Sequence, residues 1–171
     1  MVSTTLLLLR HGIAEEPCEG QADAERALTQ RGRQRSRAVL QRLVAVGSRA
    51  DLLLCSPLLR ARQMAEIAVA CGWAPAVAIR QALAPAGDPL ACLPGWLQEL
   101  SAAPGAPGAP RRLALVGHEP DLSSLAARLI GAPEGALDLR KAGLVELELP
   151  AGFPAGPVVL QGLLRPGLWL D

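Results

Sequence analysis

The chain has 171 residues, half of them hydrophobic, and a formal net charge of +1. That length predicts one domain spanning residues 1–171, large enough to bury a sizeable core. The near-neutral balance gives no electrostatic case for nucleic acid or an anionic membrane as a partner.

The basic side is almost all arginine, Lys141 being the only lysine, and forked guanidinium groups suit oxyanions. No stretch approaches the roughly 18 apolar residues of a membrane span. The opening apolar run is too short for a secretory signal, has no basic segment before it, and is interrupted by Arg10. Cys18, Cys55, Cys71 and Cys92 form no C-x-x-C pair. Together these features predict a cytoplasmic protein with reduced, mostly buried thiols and no metal site.

In chain order, Thr4 to Arg10 reads as a buried strand. Thr29 is placed to cap a helix running to about Val46, with Gly47 as its stop. Val39, Leu40, Leu43 and Val46 form the apolar side of that helix, and Arg31, Arg33, Arg35 and Arg42 a solvated basic face. Asp51 to Cys55 predicts a second strand. In "SPLLRARQMAEIAVACG" Ser56 is the expected N-cap and Pro57 the first helical residue, with Ala61, Met64, Ala65 and Ala68 turned inward. Ala76 to Ile79 is a third short strand. Leu90, Leu93, Leu97 and Leu100 share a helical stripe that Pro94 and Gly95 would delay or kink. "APGAPGAP", residues 103–110, reads as a loop, because prolines remove the backbone donors a phosphate cradle needs. Leu113 to Val116 is a strand, followed by a helix with Pro120 near its start and Gly131 at its end. Leu144 to Leu149 and Val158 to Leu164 complete the pattern. Met64, Trp73, Trp96 and Trp169 read as packing residues. The alternation predicts an α/β fold, a three-layer sandwich with a mostly parallel central sheet flanked by helices.

In open α/β sheets, ligands lie outside the carboxyl ends of the strands. Three predicted strands end in chemistry: Arg10-His11-Gly12, then Ser56-Pro57 with Arg60 one turn on, then Gly117-His118-Glu119. Singly, each has an ordinary structural reading: a chance tripeptide, a salt-bridging arginine, a histidine before a helix. Together, two arginines and two imidazoles could hold a phosphoryl group while one imidazole attacks it. Arginines supply forked charge-assisted bonds, the helix start adds backbone donors, and phosphoryl transfer asks chiefly for alignment and charge stabilisation. G-x-G-x-x-G and G-x-x-x-x-G-K-[ST] are both absent.

"LLLLRHGIAEE", "RALTQRG", "SPLLRARQ", "ALAPAGDP" and "LVGHEPDLS" resemble the histidine phosphatase superfamily, and more particularly its small SixA-type phosphohistidine phosphatases. The resemblance implies a phosphoglycerate mutase-like fold and a metal- and cofactor-independent phosphatase. It makes His11 the nucleophile and Arg10, Arg60 and His118 the rest of the phosphate pocket. Arg26 would lie at the pocket mouth, with a helix-flanking surface charge as its alternative. A phosphohistidine-bearing protein is the implied partner. Two departures from the family pattern stand out. Met64 occupies a position usually held by threonine, and Pro85 the place of the general-acid glutamate of phosphoglycerate mutases and many larger relatives. An alkoxide leaving group needs a supplied proton, worth about 10²–10⁴-fold in rate, whereas a phosphorylated imidazole can be protonated beforehand by solvent. The missing carboxylate thus favours phosphohistidine over a small phosphomonoester; a noncatalytic phosphate-binding module is the third reading. Glu15, Glu16, Glu119 and Asp88 are the alternative acids, Asp88 also being placed to cap a helix before Pro89.

Overall fold

The computed structural model describes residues 3–103 and 109–170, so most of the predicted 103–110 loop lies outside the described residues. The elements are β1 (Thr4–Arg10), α1 (Gln30–Ala45), β2 (Leu52–Cys55), α2 (Leu59–Ala70), β3 (Val77–Ile79), α3 (Pro89–Ala102), β4 (Arg111–Gly117), α4 (Asp121–Ile130), β5 (Leu144–Leu149), β6 (Val159–Leu164) and the short α5 (Pro166–Trp169). They build one six-stranded sheet in the order β3-β2-β4-β1-β5-β6. β3, β2, β4 and β1 pair in parallel, while β5 and β6 add antiparallel partners beyond β1.

The four leucines of β1 explain why its sequence shows no polar alternation. Leu7 and Leu9 face a core built with Val39, Leu40 and Leu43 of α1 and Ala61, Met64, Ala65 and Ala68 of α2. Leu6 and Leu8 face the opposite core, with Leu93, Trp96 and Leu100 of α3 and Leu122 and Leu125 of α4. A strand covered by helices on both faces has no solvent side to mark with polar residues. Each fully buried leucine contributes roughly 1.5–3 kcal/mol, so this central strand is held rigidly where it ends. Helices thus flank a mostly parallel sheet, the predicted three-layer arrangement. Among the described residues no helix is long and apolar enough to cross a membrane.

Several local expectations hold and some do not. Thr29 caps α1, its Oγ1 accepting from Gly32 N at 2.9 Å, and Asp88 caps α3 by accepting from Ala91 N at 3.1 Å. α3 runs unbroken through Pro94. Val46 is 68% exposed, since α1 ends at Ala45 and the chain turns away through Gly47 at φ +77°. Cys18 is exposed and Cys71 and Cys92 are partly so, leaving Cys55 as the buried thiol. Ser56 is not the N-cap of α2; Leu58 holds that position and the helix starts at Leu59. The backbone N–H of Ser56 still donates to Val116 O, one step beyond the β2–β4 ladder, so Ser56 is strand-like and cannot also open a helix.

Candidate active site

Parallel pairing in register brings three distant pieces of sequence to one sheet edge. Leu9 pairs with Val116, which pairs on its other side with Cys55, so Arg10, Gly117 and Ser56 follow in a row. The next residues on the two central strands are the two histidines, and their ring centroids lie 5.2 Å apart. His11 is fixed at both ends of its peptide unit: its N–H donates to Gly117 O, and its carbonyl accepts from Ala142 N. Gly12 is required immediately after it. A Cβ there would run into Ser36 Oγ and the Gly32 carbonyl of α1.

The His11 ring is buried, and its Nδ1 lies 2.7 Å from the Gly12 carbonyl oxygen. A carbonyl only accepts, so the hydrogen bond assigns the proton to Nδ1 and leaves Nε2 with an open lone pair. Burial is the main influence on the ring's acidity and lowers its pKa to about 3, with His118, Arg60 and Arg10 pushing the same way against the Gly12 bond. At neutral pH His11 is an uncharged imidazole whose Nε2 carries a free lone pair beside cations.

His118 is also held below its ordinary value, at about 4, chiefly by burial and then by Arg60. Its Nε2 sits 2.7 Å from Ser56 Oγ. Ser56 Oγ already accepts from Leu58 N at 3.3 Å, and the residue is fully buried. Its own proton is satisfied by donation to His118 Nε2, which places the ring hydrogen on Nδ1. That Nδ1, together with Arg10 Nε, is buried without a partner among the described residues. Two orphaned donors in one electrostatically coupled cluster are groups an anion would satisfy, because buried donors are otherwise almost always satisfied.

Arg10 reaches from β1 to donate from Nη1 to Leu139 O at 2.8 Å. Arg60, in the first turn of α2, is buried and donates from Nη1 to Asp23 O at 2.7 Å and from Nη2 to Asp23 Oδ2 at 2.8 Å. Arg26 grips the other oxygen of the same carboxylate, Nη1 to Oδ1 at 2.7 Å, and donates from Nε to Glu15 O at 2.8 Å. Arg26 is therefore joined to the cluster through Asp23. The hydrogen bonds from the two arginines hold the Asp23 carboxyl below the usual carboxylate range. Sequence reasoning missed Asp23. Its one signal was the three-residue spacing to Arg26, in a loop with carboxylates at positions 15, 16, 19, 23 and 25 from which nothing local selects one.

The candidate acids separate clearly. Asp88 is occupied as a helix cap, while Glu15 and Glu16 are exposed. Glu119 is partly buried beside His118, accepts from Ser123 N at 3.0 Å, and has its pKa raised, mainly by burial, with the charge of Arg10 acting the other way. Pro85 lies in the turn preceding α3, where Asp121 of α4 accepts a backbone hydrogen bond from Ala86. This segment presents no carboxyl side chain at position 85.

The sequence profile described as the histidine phosphatase superfamily (branch 1) matches residues 6–84. An uncharacterised protein of Picosynechococcus sp. (strain ATCC 27264 / PCC 7002 / PR-6) is 41% identical over 143 residues, covering 83% of each chain. The chain belongs to the histidine phosphatase superfamily. Its phosphoglycerate mutase-like fold is shared with the protein histidine phosphatase SixA complexed with tungstate, at a TM-score of 0.79 and 21% identity, over 97% of this chain and 99% of that one. A mycobacterial glucosyl-3-phosphoglycerate phosphatase shares it at a TM-score of 0.67 and 21% identity, over 93% and 97%. Within this superfamily chain, the sequence-derived residues His11, Arg10, Arg60 and His118 converge, and Arg26 stands one carboxylate away.

Proposed function

We propose that this protein is a cytoplasmic, metal-independent phosphatase that hydrolyses phosphohistidine on a protein, through a phosphoryl intermediate on His11. The observation that carries the reading is the open Nε2 of His11, with Nδ1–H tied to Gly12 O, next to Arg10, Arg60 and His118. The Nε2 lone pair attacks phosphorus. The P–N bond to the substrate imidazole breaks, its electron pair leaves with that ring, and the ring takes a proton from solvent. Water then attacks the phosphoryl group on His11 and loses a proton, and the P–N pair returns to Nε2 as inorganic phosphate leaves. Arg10, Arg60 and His118 Nδ1–H donate to the equatorial oxygens, where charge spreads in both steps. Tungstate is itself a tetrahedral oxyanion, and its presence in a SixA structure of the same fold agrees with this use of the site.

A phosphatase for a small phosphomonoester is the second reading. Glu119 favours it: a partly buried carboxyl with a raised pKa is equipped to protonate an alkoxide. Incubation with a phosphohistidine protein and with a panel of sugar and nucleotide phosphates separates the two; faster turnover of the esters reverses the order. His11→Ala is expected to lower kcat by at least about four orders of magnitude. Rapid quenching of the wild type should trap phosphate on the protein that is stable in base and labile in acid. Binding without such a trapped species would make the chain a noncatalytic phosphate-binding module.

A further inference from the structure

Next to the histidine cluster a hollow of about 600 Å³ opens, and Arg10, one of the clustered residues, stands in its wall. Arg35, Arg140, Lys141 and Arg165 join Arg10 in lining it, and among the described residues no carboxylate does. These five cations come from β1, α1, the segment before β5 and the residue following β6, so the tertiary fold assembles them rather than a basic run of sequence. They are nearly a third of the 17 basic residues in a chain whose net charge is only +1. Arg140 is partly neutralised by Asp138 at 2.7 Å, and Glu119 acts on Arg10. Among the described residues Arg35, Lys141 and Arg165 have no ion pair.

Like charges gathered around one hollow repel one another, and the arrangement gains most when an anion enters. A volume of this size far exceeds what one phosphate needs and falls in the range of ligand sites. The wall is not wholly ionic either: Ile13 and Pro166 contribute to it, and Leu168 stands 83% exposed. Several carboxylates carried on a backbone with apolar side chains match both aspects. We propose that this cavity is a subsite for an acidic segment of the substrate protein, adjacent in space to its phosphohistidine. The proposal rests on the phosphohistidine reading above and adds to it which surfaces the enzyme selects.

The test uses Arg35→Ala/Lys141→Ala/Arg165→Ala, in which no residue of the catalytic cluster is changed, and Lys141→Glu at an exposed position as an independent route. Fluorescein-labelled, unphosphorylated peptides, one acidic and one with glutamines for glutamates, are titrated by anisotropy. The same pair carrying phosphohistidine is used for turnover. The wild type should bind the acidic peptide about tenfold more tightly than the neutral one, with the preference shrinking as salt rises. The triple variant should lose that preference, Lys141→Glu should weaken it, and both should keep the wild-type kcat on the neutral phosphohistidine peptide. Equal binding of the two peptides by the wild type, or a preference that survives the triple substitution, overturns the proposal. So does a variant whose only change is a raised KM for a small ester carrying a second anionic group. If the wild type hydrolyses neither phosphopeptide, the phosphohistidine reading fails, while the anisotropy result still decides the subsite.

Discussion

Ser56 has one hydroxyl proton, and where it goes decides what His118 offers an anion. Donation to His118 Nε2 puts the ring hydrogen on Nδ1, a buried donor; without that donation the other tautomer becomes available and Nδ1 would turn a lone pair toward phosphate oxygens. Ser56→Ala is therefore expected to lower kcat/KM about tenfold, the worth of roughly one hydrogen bond to a charged group, with thermal stability lowered much less than by a core truncation. An unchanged kcat/KM would show that the Ser56 hydroxyl does not set the tautomer. The contrast between this serine and the four convergent residues explains what was legible at this scale. Histidine occurs only twice in the chain, and each lies at the end of an apolar run, so position alone isolates both. Serine before proline has a strong local reading as a helix cap, and only the β2–β4 register reveals that the hydroxyl is used across 62 residues of sequence. Asp23 was hidden for a different reason: five carboxylates crowd one loop, and burial of Arg60 by the fold selects among them.

The loop that carries His11 is braced by the first turn of α1, and two glycines let them approach. Thr29 N–H and Oγ1–H both donate to Ile13 O, and a Cβ on Gly32 would clash with that same carbonyl. Gly32→Ala is thus expected to push Gly12 and Ile13 away from α1, tilt the His11 ring and cut kcat by one to two orders of magnitude, a misplacement effect. Gly95, inside α3, provides the control, because a Cβ added there would meet nothing within 4 Å. Gly95→Ala should leave kcat alone and stabilise the fold by about 0.5–1 kcal/mol; equal losses in both variants would remove the bracing argument. The elements themselves were largely readable because burial on two faces writes strands as continuous apolar runs, as in β1 and β4. Ends were less so. Val46 continues the apolar spacing of α1 but lies past its last turn, and periodicity does not register that the chain has already turned away. The contact between Gly12 and Gly32 left no periodic trace at all.

At the scale of the molecule, two imidazoles kept neutral by burial tie stability to pH. An unfolded chain protonates histidine near 6.5, whereas folded His11 and His118 do so at about 3 and about 4. Between those values the unfolded state holds more protons, so stability is fully present above about pH 6.5 and declines as acid is added. Asp23, lowered by its arginines, acts in the same sense at lower pH. Glu119 and Asp121, both raised mainly by burial, act in the opposite sense, since the folded chain protonates them first. At the upper end of this window each histidine contributes a slope of at most roughly 1.4 kcal/mol per pH unit. Urea midpoints measured from pH 7.5 to 5 should fall on acidification for the wild type and about half as steeply for His118→Asn. Activity should stay level across the same range while the chain remains folded, because the His11 lone pair stays free of protons there. An activity loss centred near pH 6.5 in protein that remains folded would mean that His11 titrates as an ordinary surface histidine, and the buried neutral nucleophile would have to be given up.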